Sequence, residues 1–150
     1  MTPKERMTAF AKGLEIDRIP CNPHMGVTMA QFIGIPLKEY YHSAERMAEL
    51  EIALFRRLNH DGVSVSVTLR GVAEAMGSKM HYPDNSISLM ESPVVNSIDQ
   101  IESLKPSDPE KDGKLPLVLK AISIIKDKIG NEVNVGAGLA GPFKIGRAHV

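Results

Sequence analysis

The sequence predicts an α/β fold with parallel strands, and three observations carry that expectation. The first is Asp61-Gly62-Val63-Ser64-Val65-Ser66-Val67-Thr68-Leu69-Arg70, where valines alternate with small hydroxyl residues. Alternation of β-branched and polar residues with period 2 marks a strand that buries one face. The second is a pair of helical apolar stripes, over 43–58 and 115–129, on either side of that strand in sequence. The third is the order of elements: helix, strand, helix, strand, excursion, helix, strand. Such alternation favours parallel strands with right-handed crossovers, and it leaves open a doubly wound sheet or a β/α barrel.

In chain order, Thr2-Pro3-Lys4-Glu5 reads as a capping box with proline at the first helical position. Met7, Phe10, Ala11 and Leu14 then fall on one face, which is the expected buried side. Ile19-Pro20-Cys21-Asn22-Pro23-His24 reads as a first strand, although two prolines suit it poorly to the middle of an antiparallel sheet. A short helix is expected over 28–32, ended by Gly34, with another short turn opening at Pro36. Ser43 is placed to cap the next helix, whose stripe is Met47, Leu50, Leu54 and Leu58, with Arg56 and Arg57 in the last turn. This helix delivers the chain to Asp61.

After the central strand, a helical pattern through Val72, Ala73, Ala75 and Met76 stops at Gly77. Residues 79–90 read as a hairpin turning at Pro83-Asp84-Asn85-Ser86. A short helix begins near Ser97, and 104–113 is a polar linker punctuated by proline. The stripe Leu115, Val118, Leu119, Ile122, Ile125 and Ile129 makes the second strong helix, and 132–138 the third strand.

Composition narrows the function. Eighteen basic residues balance 18 acidic ones, and no basic block or tryptophan is present, which argues against nucleic acid as a partner. No segment is apolar enough to cross a bilayer, and the first residues lack the order of a signal peptide. The single Cys21 excludes an internal disulfide and suits a reducing cytosol, so a cytoplasmic location is expected.

Two motifs are weak. Cys21-x-x-His24 offers two metal ligands, but no second pair follows at zinc spacing. Gly136-x-Gly138-x-x-Gly141 matches a dinucleotide fingerprint, yet Pro142 stands where a helix N-terminus should receive the pyrophosphate.

A stronger pattern is spread along the chain. Met1-Thr2-Pro3-Lys4-Glu5-Arg6, Asp17-Arg18-Ile19-Pro20, Asp61-Gly62-Val63 and Glu74-Ala75-Met76-Gly77 occur in order. Asp108-Pro109-Glu110-Lys111-Asp112-Gly113-Lys114-Leu115-Pro116 and Gly138-x-x-Gly141-Pro142-Phe143 complete the series. In these residues the chain resembles the uroporphyrinogen decarboxylase superfamily, and the linker block is the most specific part.

That resemblance implies the N-terminal portion, about three βα units, of a TIM-type (β/α)8 barrel. The superfamily holds decarboxylases of porphyrin biosynthesis. It also holds zinc-dependent methyltransferases that move methyl groups between corrinoid proteins and thiols such as coenzyme M. The decarboxylases carry an arginine-rich loop after the first strand, where this chain has His24-Met25-Gly26-Val27-Thr28-Met29. They also carry an aspartate at the end of the second strand, at a position that looks like Thr68. A substrate with many carboxylates wants guanidinium partners, so the likeness points to the methyltransferase branch. The alternatives are a tetrapyrrole decarboxylase and a non-catalytic barrel that binds a tetrapyrrole or corrinoid.

The zinc ligands of that branch, a His-x-Cys pair and a later Cys, belong to the second half of the barrel. No metal ligand is therefore expected in this stretch, and its catalytic residues stay unassigned. Barrel geometry puts pocket residues at strand C-terminal ends. The expected wall is Asn22 and His24 after the first strand, Ser66 and Thr68 at the second, and Gly138 and Gly141 after the third. The expected partner is a corrinoid protein or a tetrapyrrole. Ile145-Gly146-Arg147-Ala148-His149-Val150 resembles the translation of a sequencing-library adapter. Residues 1–143 are thus expected to be a truncated, inactive barrel domain and 144–150 a non-native tail. Such a piece should leave an open sheet edge beside 133–138 and bare valine and isoleucine faces.

Overall fold

The computed structural model describes residues 1–23, 25–66 and 70–139. Its first helix, α1 (Pro3–Ala11), starts with the expected capping box: Thr2 N–H donates to Glu5 Oε2 at 2.8 Å, and Glu5 N–H donates to Thr2 Oγ1. Its buried face is not the expected one. Pro3, Arg6 and Ala9 are buried, whereas Phe10 and Leu14 are more than half exposed. Arg6 orients the helix, because its guanidinium reaches two aspartates below it. Lys4 adds a backbone bond to the Glu132 carbonyl at 3.0 Å.

Residues 19–23, expected as a first strand, carry no strand. Pro20 and Pro23 have no N–H to give to a ladder. The Cys21 N–H goes to the Asp61 carboxylate at 2.7 Å instead of to a neighbouring carbonyl. The expected helix near residue 28 is a 3-10 helix, Val27–Ile33, closed by Gly34 at φ 74°. Helix α2 (Leu37–His42) follows, and then α3 (Ala44–Leu58), capped by Ser43 Oγ accepting the Arg46 N–H. In α3, Met47, Leu50 and Leu54 are buried as the stripe requires, while Leu58 in the last turn is half exposed.

Strand β1 (Gly62–Ser66) and helix α4 (Gly71–Ala75) come next. The antiparallel hairpin of β2 (Lys79–His81) and β3 (Leu89–Ser92) sits where its turn residues placed it. A second 3-10 helix, Ile98–Ser103, leads to α5 (Leu115–Ile129) and β4 (Asn134–Gly138). β1 and β4 pair in parallel, with Gly62 beside Asn134, Ser64 beside Gly136 and Ser66 beside Gly138.

Helices α3 and α5 cover one face of this sheet. Val63, Val65, Val118, Ile125, Ile129 and Val133 are all buried in a core shared with Met47, Leu50 and Leu54. The valine faces expected to lie bare are therefore covered by the two strong helices. Ion pairs from Arg56 to Glu132 and from Lys120 to Glu45 (2.6 Å) tie α3 to the β4 approach and to α5. The opposite face carries Gly62, Ser64, Ser66, Asn134, Gly136 and Gly138, and there Ser64, Asn134 and Gly136 are exposed. Among the described residues, no helix is long and apolar enough to cross a membrane.

Candidate functional site

Alternation along β1 turns Val63 and Val65 toward the helices and Gly62, Ser64 and Ser66 toward the uncovered face. At the exit end, Ser66 and Gly138 are register partners. A Cβ built on Gly138 would lie 3.4 Å from Ser64 Oγ and 3.4 Å from Ser66 Cβ, so these three residues share one small surface. Asn22 lies on the same face but at the other end. Its amide sits over Gly62, where a Cβ would come within 2.9 Å of Nδ2. Ser66 is four residue steps beyond Gly62, about 13 Å along a strand rising ~3.3 Å per residue.

The structure thus brings Ser66 and Gly138 together, adds Ser64 to them, and sets Asn22 apart. His24, Thr68 and Gly141 lie outside the described residues. Asn22, Ser64, Ser66 and Gly138 offer neutral hydrogen bonding and close backbone approach, with no acid, base or activated nucleophile in the set. Among the described residues, no group of three or more His, Cys, Asp or Glu side chains is placed to hold a metal ion.

The entry end is charged. Asp61 is fully buried and accepts from Arg6 Nη1, from Arg18 Nη1 at 2.6 Å and from the Cys21 N–H. Arg6 in turn donates to both Asp17 oxygens, at 2.6 and 2.8 Å. Burial alone would raise the Asp61 carboxyl, but the Cys21 N–H and the two guanidiniums outweigh it and hold it below the ordinary carboxylate range. Arg6, Asp17, Arg18 and Asp61 all belong to the sequence pattern spread along the chain, which by itself implies no role for them. Their shared role is to fasten α1 and residues 17–21 to the entry end of β1.

The other pattern residues are also joined. Glu74 accepts the Tyr82 hydroxyl at 2.6 Å and lies 3.7 Å from Lys114 Nζ, which sits 4.4 Å from the centroid of the Tyr82 ring. Gly113, at φ 56°, passes so close to α4 that a Cβ would stand 2.9 Å from Ala75 Cα. The linker block therefore docks on α4 and on the hairpin that follows the exit of β1.

The uroporphyrinogen decarboxylase (URO-D) family model matches residues 2–147. The chain belongs to this family. Within it, the chain is similar to methylcobamide:CoM methyltransferases. It is 28% identical over 149 residues to the methylcobamide:CoM methyltransferase MtaA of Methanosarcina barkeri (strain Fusaro), covering 96% of this chain and 43% of that protein. It is 29% identical over 149 residues to the methylcobamide:CoM methyltransferase MtbA of Methanosarcina mazei, with the same coverage. A solved methyltransferase from Methanosarcina mazei superposes with a TM-score of 0.79 at 28% identity, covering 97% of this chain and 44% of that one. The chain spans less than half the length of these relatives.

Proposed function

We propose that this chain is the N-terminal portion of a (β/α)8 barrel that transfers a methyl group between a corrinoid protein and a thiol, in the cytoplasm and with zinc. The observation that carries the reading is the likeness to methylcobamide:CoM methyltransferases along 96% of the chain. The open sheet face agrees with it. A substrate with several carboxylates would need guanidinium partners there. Arg6 and Arg18 are engaged with Asp17 and Asp61 at the opposite end, and Arg70 donates to the Ser88 carbonyl at 2.8 Å.

In this reading Ser66 and Gly138, together with Asn22, His24, Thr68 and Gly141, form wall rather than catalytic machinery. Small neutral side chains let a ligand approach the backbone closely and offer it hydroxyl and amide hydrogen bonds. The metal would be bound by residues outside this stretch. The test is to supply the parent protein with methylcobalamin and coenzyme M and follow demethylation by absorbance. Thiol-dependent demethylation is the expected result. Release of carbon dioxide from a uroporphyrinogen, without demethylation, would replace this reading with the decarboxylase one.

A further inference from the structure

Helices α3 and α5 pack on the sheet and each turns within a few residues into a strand, so both run antiparallel to β1 and β4. Their first turns, at Ala44 and Leu115, therefore lie at the exit end with Ser66 and Gly138. Two connections gather there. One is residues 25–42, which lead into α3, and the other includes residues 70–114, which lead from β1 to α5. In parallel β/α folds the segments at this end shape the site.

One side chain touches both connections. The half-buried Tyr82 ring stands 5.0 Å from the Tyr41 ring and 5.0 Å from the His42 ring, both in α2. Its hydroxyl donates to Glu74 of α4 at 2.6 Å, and Lys114 Nζ lies over its face at 4.4 Å. Tyr82 thus meets α2, α4 and the start of α5 at once. Burial, and then the Glu74 carboxylate, push the phenol well up, so the hydroxyl stays a donor. The other polar links between the two connections, among the described residues, are long or exposed. Gln31 reaches the Asn85 carbonyl at 3.5 Å, and the Ser88 N–H reaches the Tyr41 hydroxyl at 3.3 Å. The Lys38–Asp84 pair, at 3.3 Å, is 59% and 74% exposed, and exposed ion pairs hold little.

Resting on the methyl-transfer reading, we propose that Tyr82 is a positioning residue: it joins the two connections into one rim, and the rim sets the opening onto the Ser66–Gly138 face. It acts through the hairpin, whose first strand ends beside it at His81. A methyl donor as broad as a corrin has to pass such a rim. When the rim must reassemble before binding, apparent affinity falls by the competent fraction and the later steps are untouched.

The experiment compares Tyr82→Leu, Tyr82→Phe and Lys38→Ala in the parent protein. Hydrogen exchange of the amides of residues 79–92 reads the joint without any substrate. Protection should fall on the order of tenfold in Tyr82→Leu. It should hold within about threefold in Tyr82→Phe, which keeps the ring, and in Lys38→Ala. Steady-state kinetics with methylcobalamin and excess coenzyme M read the positioning. KM for methylcobalamin should rise on the order of fivefold in Tyr82→Leu with kcat within about twofold, and Tyr82→Phe should restore it. Unchanged protection in Tyr82→Leu would show that the ring joins nothing and overturn the proposal. Lost protection with an unchanged KM would also overturn it and leave Tyr82 a packing role. A parent protein that never demethylates methylcobalamin overturns the methyl-transfer reading and the positioning role with it, and the exchange result then separates that failure from a failure of the joint.

Discussion

Asp61 holds Cys21 from both sides of the backbone: its carboxylate accepts the Cys21 N–H at 2.7 Å, and its own N–H donates to the Cys21 carbonyl at 2.8 Å. One residue thereby lays the proline-rich segment beside β1 without a ladder. Because the same carboxylate also receives Arg6 and Arg18, three separate stretches of chain meet on one buried group.

Replacing Asp61 by asparagine keeps the shape and removes the charge. Arg6, 5% exposed, would then lack its buried counter-ion on this side, and removing one partner of a buried pair costs about 3–5 kcal/mol. The expected outcome is a loss of that order in urea or thermal unfolding. Arg18→Gln, whose side chain is 41% exposed, should cost clearly less. Equal losses in the two variants would show that burial of Asp61 is not what makes the cluster matter.

Gly113 and Gly34 give a second contrast. Both have positive φ, at 56° and 74°, but a Cβ on Gly34 meets open space while one on Gly113 meets the Ala75 backbone at 2.9 Å. Gly34→Ala should cost about 1 kcal/mol for the backbone conformation alone. Gly113→Ala should cost measurably more, because α4 or the start of α5 has to move. Chemical denaturation of the two variants decides this, and the linker block owes its glycine to that close approach.

Stability should change with pH in two opposite limbs. Asp61 and Asp17 have depressed carboxyls, Asp61 against its burial through the Cys21 N–H, Arg18 and Arg6, and Asp17 chiefly through Arg6. Glu45 is depressed to about 2, chiefly by Lys120. Their contribution is present above the unfolded carboxylate range and is lost as pH falls below about 4. Glu51 of α3, 7% exposed and pushed up to about 7 by burial, acts the other way, and its penalty grows as pH rises from about 4.5 to about 7. Thermal midpoints measured across this range should therefore peak near about pH 4.5 to 5. Glu51→Gln should flatten the upper limb and leave the acid limb in place. A profile that rises steadily to neutrality would contradict the burial of Glu51.

Much of this was legible from residue patterns, for local reasons. The stripe over 115–129 matches the span of α5, and Ser43 and Thr2 cap the helices they were expected to cap. Caps and stripes depend on neighbours within one or two turns. The buried face of α1 did not follow its apolar stripe, because Arg6 answers to Asp61, 55 residues away. No window of sequence contains that pair. The site shows the same division. Ser64 and Ser66 were readable as one face of a strand, but their neighbour Gly138 depends on the register with β4, and Asn22 sits by Gly62 because Asp61 fixes Cys21.

That register supports a test of the wall itself. Gly138 does not have positive φ, and a Cβ there makes only ordinary contact with Ser64 and Ser66, so alanine should fit without strain. Gly138→Ala is expected to leave the thermal midpoint of the parent protein within about two degrees, as for a substitution that disturbs no packed contact. Gly138→Leu extends a branched side chain over the face opposite the buried valines, away from the core that α3 and α5 form with β1. If that face lines the methyl-transfer pocket, the leucine side chain occupies space that a ligand needs. An obstruction of that size in a substrate site should cost on the order of tenfold or more in rate, about 1.4 kcal/mol in the barrier. The measurement pairs kcat/KM for methyl transfer with the thermal midpoint for alanine and leucine variants side by side. A graded loss of kcat/KM at unchanged stability places the wall at the Ser66–Gly138 pair. Full activity in the leucine variant would move the pocket off this face and leave these small residues with a packing role alone.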